Sequence, residues 1–397
     1  MMNGVLRGTA ICFSVLSWLG SIGICIGPGD QPKDLVSIGG RWFMGPSEAP
    51  VYYYKDGDRY LDLFSYHMKD SNKDGIDNVR ISHDQEFLTM ESQGYPNHAT
   101  AVFPNSGNPN TIRVQNFTFR LPLVPKLADK ITRLPRGPIG TALNGVVFFN
   151  PYEMEGMNAV EGYSEVWLDS CCGHPQQTGV YHYHKYPNCV KSPFRDDGMQ
   201  HSPILGFAFD GFPVYGPYES EGVIAKDLEK SEALDVCNGH FDEVRGYHYH
   251  VTPGRFPYIL GGYAGVVEPS NNRELRRAQI GAIKDNTQQG ENRMDKVIAA
   301  VRPGTASRGK THQVQFELDP NRAIRRRLPE GIPSWVQIGP FEAKSISRVG
   351  NLVTAEIEVL DESPLGVLFD CHIEFASNGE RGGPIVYKKN DVFRVVE

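Results

Sequence analysis

Two tetrapeptides, Tyr181-His182-Tyr183-His184 and Tyr247-His248-Tyr249-His250, hold the residues of this 397-residue chain best suited to grip a metal ion. In an extended strand alternate side chains share a face, with α-carbons about 7 Å apart. His182 and His184 then point one way and Tyr181 and Tyr183 the other, and His248 and His250 oppose Tyr247 and Tyr249 in the same manner. Two imidazoles on one strand can hold one ion, with a third ligand supplied from elsewhere. His174 and His240 are the natural candidates, because each follows a glycine and stands eight residues before the first histidine of its pair. Three histidines suit copper or zinc, with iron as a further choice. The ring nitrogens turned away from a metal need acceptors, and Asp169, Asp210 and Asp235 are the carboxylates nearest in sequence pattern. A metal-free reading stands beside this one: tyrosines packed in the core and histidines joined in a hydrogen-bonded network.

The elements that would position these residues come as a pair. Shifting the chain by 66 residues lays 139–187 on 205–253 without a gap, with 19 identities in 49 positions. Asn144-Gly145 falls on Asp210-Gly211, Pro151-Tyr152-Glu153 on Pro217-Tyr218-Glu219, Leu168-Asp169 on Leu234-Asp235, Cys171 on Cys237, and Gly173-His174 on Gly239-His240. Self-similarity at one fixed offset implies a repeated structural unit. Each unit reads as a strand, an Asn-Gly or Asp-Gly turn of the kind that closes hairpins, a return strand, a Leu-Asp-x-Cys-x-Gly-His segment and the Tyr-His-Tyr-His strand. Packing of two such halves about a pseudo-twofold axis is expected.

Aromatics at 11%, with 42 glycines and 28 prolines, favour short strands and many turns. The formal charge of −7 and the lack of a long basic stripe argue against nucleic acid as a partner; Arg325 to Arg327 reads as a solvated run. No Gly-x-Ser-x-Gly elbow, phosphate-cradling loop or dinucleotide fingerprint is present. Residues 1–26 read as a secretory signal, with Arg7 before an apolar run, or alternatively as an uncleaved anchor. Nothing later reaches the ~20 apolar residues of a membrane span, so no span is expected after signal removal. Export makes disulfides plausible among Cys171, Cys172, Cys189 and Cys237. A Cys171–Cys237 bond across the pseudo-axis, leaving Cys172 to Cys189, is one of three pairings the sequence leaves open; a thiolate metal site is the alternative. Cys371 reads as a buried thiol, and Asn116-Phe117-Thr118 as a glycosylation sequon in a eukaryotic host. Asp70, Asn72 and Asp74, with Gly75 and then Asn78, have the oxygen spacing of a calcium loop, although Ile81 stands where such a loop ends in glutamate.

Five segments resemble the YHYH domain family of mostly exported bacterial proteins: Gly94-Tyr95-Pro96-Asn97-His98, Asn108-Pro109-Asn110, Gly137-Pro138-Ile139-Gly140 with Asn144-Gly145-Val146, Gly173-His174 with Tyr181 to His184, and Asp210 to Gly216. The resemblance covers about 90–265. It implies no particular reaction, and it adds His98 to the ligand candidates.

The expected organisation is mostly β: a signal (1–26), an internally duplicated, sandwich-like domain (27–268), a partly helical linker (269–310, with Arg273 to Ile283 and Met294 to Val301 as helices) and a small C-terminal β-sandwich (311–397) without a chemical motif. The leading function is an exported, secreted or periplasmic, metal-binding protein, an oxidase or hydrolase if a coordination position stays open. The alternative is a non-enzymatic extracellular module for a small molecule, carbohydrate polymer or lipid head group. The choice between one shared site and two separate sites is open.

Overall fold

A computed structural model describes residues 32–152, 158–160, 166–190, 192, 196–275, 297–323, 327–361, 363, 365, 368–376 and 384–396. The leader, Glu153, Arg325 and residues 276–296 of the segment read as a partly helical linker lie outside them. The described chain is built almost entirely from strands, joined by turns and single turns of 3-10 helix.

The N-terminal part supplies β1 (Val36–Gly39), β2 (Trp42–Gly45), β3 (Val51–Asp56) and β4 (Arg59–Asp62) as one antiparallel sheet. Along β3, Tyr52 and Tyr54 turn inward while Tyr53 is half-buried, the period-two signature of a half-covered strand. A second sheet has β5 (Val79–His83), β6 (Phe87–Ser92) and β7 (Phe117–Pro122). β5 and β6 lie in a stretch, from after Phe64 to about residue 110, that is polar and rich in Asp, Asn and Gly. Alternating apolar residues from Ile112 to Leu123 read as a strand, but β7 begins only at Phe117; before it, the backbone amides of Arg113 and Gln115 bond to Gly179 and Gln93.

The tetrapeptides sit in an eight-stranded sheet. Its strands are β9 (Pro138–Ala142), β10 (Val147–Phe149), β11 (Gly173–Pro175), β12 (Tyr181–Tyr183), β13 (Ile204–Ala208), β14 (Pro213–Tyr215), β17 (Gly239–Asp242) and β18 (Gly246–His250). Between β14 and β17, β15 (Tyr218–Ser220) and β16 (Val223–Ile224) form a small hairpin; β8 (Leu127–Thr132) pairs with β19 (Tyr263–Gly265). The order is β11-β12-β10-β9-β13-β14-β18-β17. It reads the same from both ends when strands at the 66-residue offset are exchanged. Local bonds recur at that offset too: Asp169 N–H to Gly173 O and Asp235 N–H to Gly239 O, His184 N–H to Cys172 O and His250 N–H to Asn238 O. Both hairpin turns close through glycines with positive φ, Gly145 at 80° and Gly211 at 86°. A Cβ on Gly145 would stand 2.1 Å from Ser92 Oγ, so that turn needs glycine for space as well as for backbone conformation. The neighbouring sheets share one core with this sheet: Trp42 packs on Phe207 with ring centres 5.2 Å apart, and Phe119 on Phe209 at 5.1 Å.

The C-terminal strands are β20 (Ile298–Arg302), β21 (Thr305–Ser307), β22 (Lys310–Leu318), β23 (Trp335–Ile338), β24 (Phe341–Val349), β25 (Leu352–Val359), β26 (Leu368–Phe375) and β27 (Ile385–Val396), ordered β20-β22-β25-β24-β23-β26-β27-β21. The sheet begins inside the stretch read as linker. Over Ile298 to Val301 the expected helix is a strand, because Ile298 is buried and pairs with Leu318 in register, an environment that suits β-branched side chains.

The disulfide joins Cys171 to Cys189, with α-carbons 5.2 Å apart. The Cys171–Cys237 pairing is overturned, and the strand order explains why: the two cysteines precede β11 and β17, the opposite edges of the sheet. The Cys172 and Cys237 thiols are buried, and burial pushes both well above their ordinary range, so neither is a ready thiolate. Reducing the bond opens a closed loop of 18 residues, for which chain entropy predicts a loss of about 3 kcal/mol. Urea unfolding with and without reductant is expected to show that decrease, and an unchanged midpoint would refute it.

Candidate metal centre

The two tetrapeptide strands do not converge. β12 and β18 are separated by β10, β9, β13 and β14, about 24 Å of sheet at the usual spacing of nearly 5 Å. Each therefore builds its own cluster, and a single centre made from all four strand histidines is excluded.

Around β12 the buried imidazoles of His174, His182 and His184 can bring one ligand atom each within 4.8 Å of the others. His182 Nδ1 donates to the carbonyl of Val180 at 2.9 Å, leaving its Nε2 3.0 Å from Nε2 of His184. Nδ1 of His174 lies 3.0 Å from the side-chain amide nitrogen of Asn108. Burial holds all three in the neutral form, with His184 lowered to about 4.

The cluster around β18 is larger. His201, Glu219, His248 and His250 meet within the same 4.8 Å, and His240 joins them, its Nε2 3.2 Å from Nε2 of His248 and 3.1 Å from Glu219 Oε2. Nε2 of His250 lies 3.2 Å from both His248 Nε2 and Glu219 Oε2. Nε2 of His201, buried and without a hydrogen-bond partner, is 3.6 Å from the same carboxylate oxygen. Every Nδ1 faces a backbone carbonyl: His201 that of Ser202 (2.9 Å), His240 that of Glu232 (3.0 Å), His248 that of Gly246 (2.9 Å) and His250 that of Gly216 (2.6 Å).

A carbonyl only accepts, so each Nδ1 carries its proton and each Nε2 of a neutral ring presents a lone pair. Such lone pairs beside a carboxylate repel one another unless a cation, a metal ion or a proton, sits among them. Burial supports the neutral rings, lowering His201 to about 2, His248 to about 3 and His250 in the same direction. At His240 a proton can play the cation's part: burial opposes charge on this ring, but an Nε2 proton donated to Glu219 outweighs it and raises the pKa. Burial likewise opposes charge on Glu219, and the His240 and His250 rings beside it prevail, holding the carboxyl well below its ordinary range. His and Glu groups on this chain can therefore hold a metal ion. Residues 118–231 match the family model described as YHYH protein. That span takes in the first tetrapeptide, His174, His201 and Glu219, and it ends before Gly239-His240 and the second tetrapeptide. No curated protein and no solved structure matches the chain.

The tyrosines occupy the opposite face, where the aspartates read as imidazole partners are found. Asp169 accepts from Tyr181 OH at 2.8 Å and from the backbone N–H of Cys171 and Gly173. Asp235 repeats the set with Tyr247 OH at 2.8 Å and the N–H of Cys237 and Gly239. Asp210 accepts from Tyr249 OH, while its counterpart Asn144 donates to Tyr183 OH at 3.1 Å. Strand alternation gives the reason: the aspartates fix the Gly-His loop and the tyrosines, and backbone carbonyls orient the histidines. His98 is also on the tyrosine side, its Nε2 2.6 Å from Tyr183 OH. It lies away from the histidine clusters, beside Cys171 and Cys189, whose sulfurs are consumed by the disulfide.

The calcium-loop residues spend their oxygens on turns. Asp70 accepts from the N–H of Asp74 and Gly75, Asp74 from that of Ile76 and from the side chains of Asn72 and Gln93, and Asn78 from the N–H of Ser71.

Sequence reasoning missed His201 and Glu219. Glu219 carried a signal, because Pro-Tyr-Glu recurs at the repeat offset. His201 carried none: it stands before the repeated span 205–253, and the residue 66 positions earlier is Pro135.

Proposed function

We propose that the chain is an exported metal-binding protein whose principal centre is the cluster of His201, Glu219, His240, His248 and His250. The observation that carries this reading is the ring orientation: four Nδ1 groups committed to backbone carbonyls, and four Nε2 atoms gathered around one carboxylate. Nitrogen ligands with a single oxygen suit zinc or copper, with iron as a further candidate. The cluster of His174, His182 and His184 is a second, weaker site, because it has three imidazoles and no carboxylate among the described residues to offset the charge of the ion. Side-chain exposure of Glu219 is 19%, which gives the principal centre an edge toward solvent through which metal can exchange. Export rests on the apolar leader and agrees with the disulfide, since such bonds persist in oxidising compartments.

Elemental analysis of untagged protein tests the reading. About one equivalent of zinc or copper is expected to survive extensive dialysis, and a second to appear only with excess metal. Protein free of stoichiometric transition metal, both as purified and after loading with zinc and copper, would overturn it. Glu219→Gln is expected to weaken the first equivalent about tenfold or more and leave the second unchanged.

A further inference from the structure

The two centres differ most where the second unit departs from the repeat. His201 stands before the repeated span and Glu219 within it, yet Nε2 of one lies 3.6 Å from Oε2 of the other. One buried side chain, Ser202, joins the segments that carry them. Its backbone N–H donates to the carbonyl of Tyr218 at 2.9 Å, and its Oγ accepts from the N–H of Tyr218 at 2.8 Å. Tyr218 directly precedes Glu219, as His201 directly precedes Ser202. The Ser202 carbonyl is also the acceptor that takes His201 Nδ1 and so turns Nε2 toward the centre.

A serine hydroxyl has one proton to give. That of Ser202 goes to Asp196 Oδ1 at 2.7 Å, which leaves lone pairs of the oxygen for Tyr218 N–H. Asp196 also accepts from Tyr186 OH at 3.2 Å. Asp196 and Ser202 have room to meet because residue 216 is glycine. A Cβ there would stand 2.6 Å from Asp196 Oδ2 and 2.8 Å from Ser202 Oγ. The Gly216 carbonyl in turn takes His250 Nδ1 at 2.6 Å. In the first unit the residue at the repeat offset is Asn150, whose own Oδ1 accepts from the N–H of Tyr152, the counterpart of Tyr218, at 2.8 Å. Asn150 thus satisfies locally the amide that Ser202 satisfies from another segment. Only the second arrangement brings a further histidine with it.

We propose that Ser202 and Asp196 are positioning residues of the principal centre: Ser202 fixes His201 and Glu219 to each other, and Asp196 fixes Ser202. This inference rests on the metal-binding reading above. It assigns the fourth imidazole, and with it the tighter binding of this centre, to a serine–aspartate pair where the first unit has Asn150.

Copper(II) titration of the untagged protein tests the pair, with a competing chelator to read affinity and electron paramagnetic resonance to read nitrogen ligands. Ser202→Ala is expected to weaken the first equivalent about tenfold or more and to change its nitrogen hyperfine pattern as His201 is released, with the second equivalent unaltered. Asp196→Ala is expected to do the same. Asp196→Asn, which keeps an acceptor oxygen for the serine, is expected to recover most of that loss. Alanine variants that lower the unfolding midpoint of the metal-free protein but keep wild-type affinity and copper spectrum would show a structural role only and overturn the proposal. Wild type that takes up no metal overturns the metal-binding reading and this inference together, so the two failures are told apart. Where neither alanine variant folds, amide exchange of the wild type decides. The N–H groups of Ser202 and Tyr218 are expected to gain protection as the first equivalent binds, and no gain at either would overturn the proposal.

Discussion

His248→Ala combined with His250→Ala is expected to remove the tightly bound metal, with affinity falling at least about 100-fold. The size follows from the geometry. Both rings are fully buried and both present Nε2 within 3.2 Å of a neighbouring ligand atom. Groups that merely orient metal ligands already cost about 10–100-fold when removed, and two direct ligands should cost more. The paired control is His182→Ala with His184→Ala, which is expected to spare the first equivalent and remove the second, because the two clusters lie in opposite halves of the sheet. Inductively coupled plasma measurements after dialysis check both, with circular dichroism to confirm a folded β protein. Loss of the first equivalent in the control, with the fold retained, would reverse the ranking of the two sites.

The second large effect is on stability. Asp169→Ala is expected to cost about 3–4 kcal/mol, because it leaves the buried Tyr181 hydroxyl and the N–H groups of Cys171 and Gly173 without an acceptor at once. Asp235 makes the same three bonds in the other unit, but it is exposed, and water replaces the lost acceptor; Asp235→Ala is expected to cost only about 1 kcal/mol. Chemical denaturation of the two variants measures the difference, and equal costs would show that burial is not what separates them. Asp169 also has a pH signature. Its carboxyl is pushed up to about 6, with burial as the main cause and its hydrogen bonds opposing, against about 3.9 in the unfolded chain. A raised pKa means the folded state binds the proton more tightly. That contribution is complete below about pH 4 and is lost as pH rises through 6. The stability difference between wild type and Asp169→Asn is therefore expected to move in favour of the wild type as pH falls from 7 to 4.

The strands, the turns and the histidine pairs were legible because they depend on short-range pattern. The Asn-Gly and Asp-Gly turns and the histidines at i and i+2 are written within a few residues, and the 66-residue offset in the sequence is matched by a strand order that reads the same from both ends. Some segments were read less well although their partners are near in the chain. Val79–His83 and Phe87–Ser92 pair with each other but hide in polar sequence because one face is exposed, and the helix expected over Met294 to Val301 gives way to Ile298–Arg302 as a strand because pairing with β22 buries Ile298.

What the residues determined alone is that the Tyr-His-Tyr-His strands turn histidines to one face and tyrosines to the other, twice, at one spacing. Strand geometry requires that whatever surrounds them. Tertiary structure decided the rest. It separated the two strands by four others, so that each pair of histidines serves its own cluster. It brought His201 and Glu219 to the second cluster, sent Asp169, Asp210 and Asp235 to the tyrosines, and joined Cys171 to Cys189 instead of Cys237. Those outcomes depend on which side chains meet across the sheet. The sequence specifies the face each residue takes, while the distance between two faces is set only when the strands are ordered and packed.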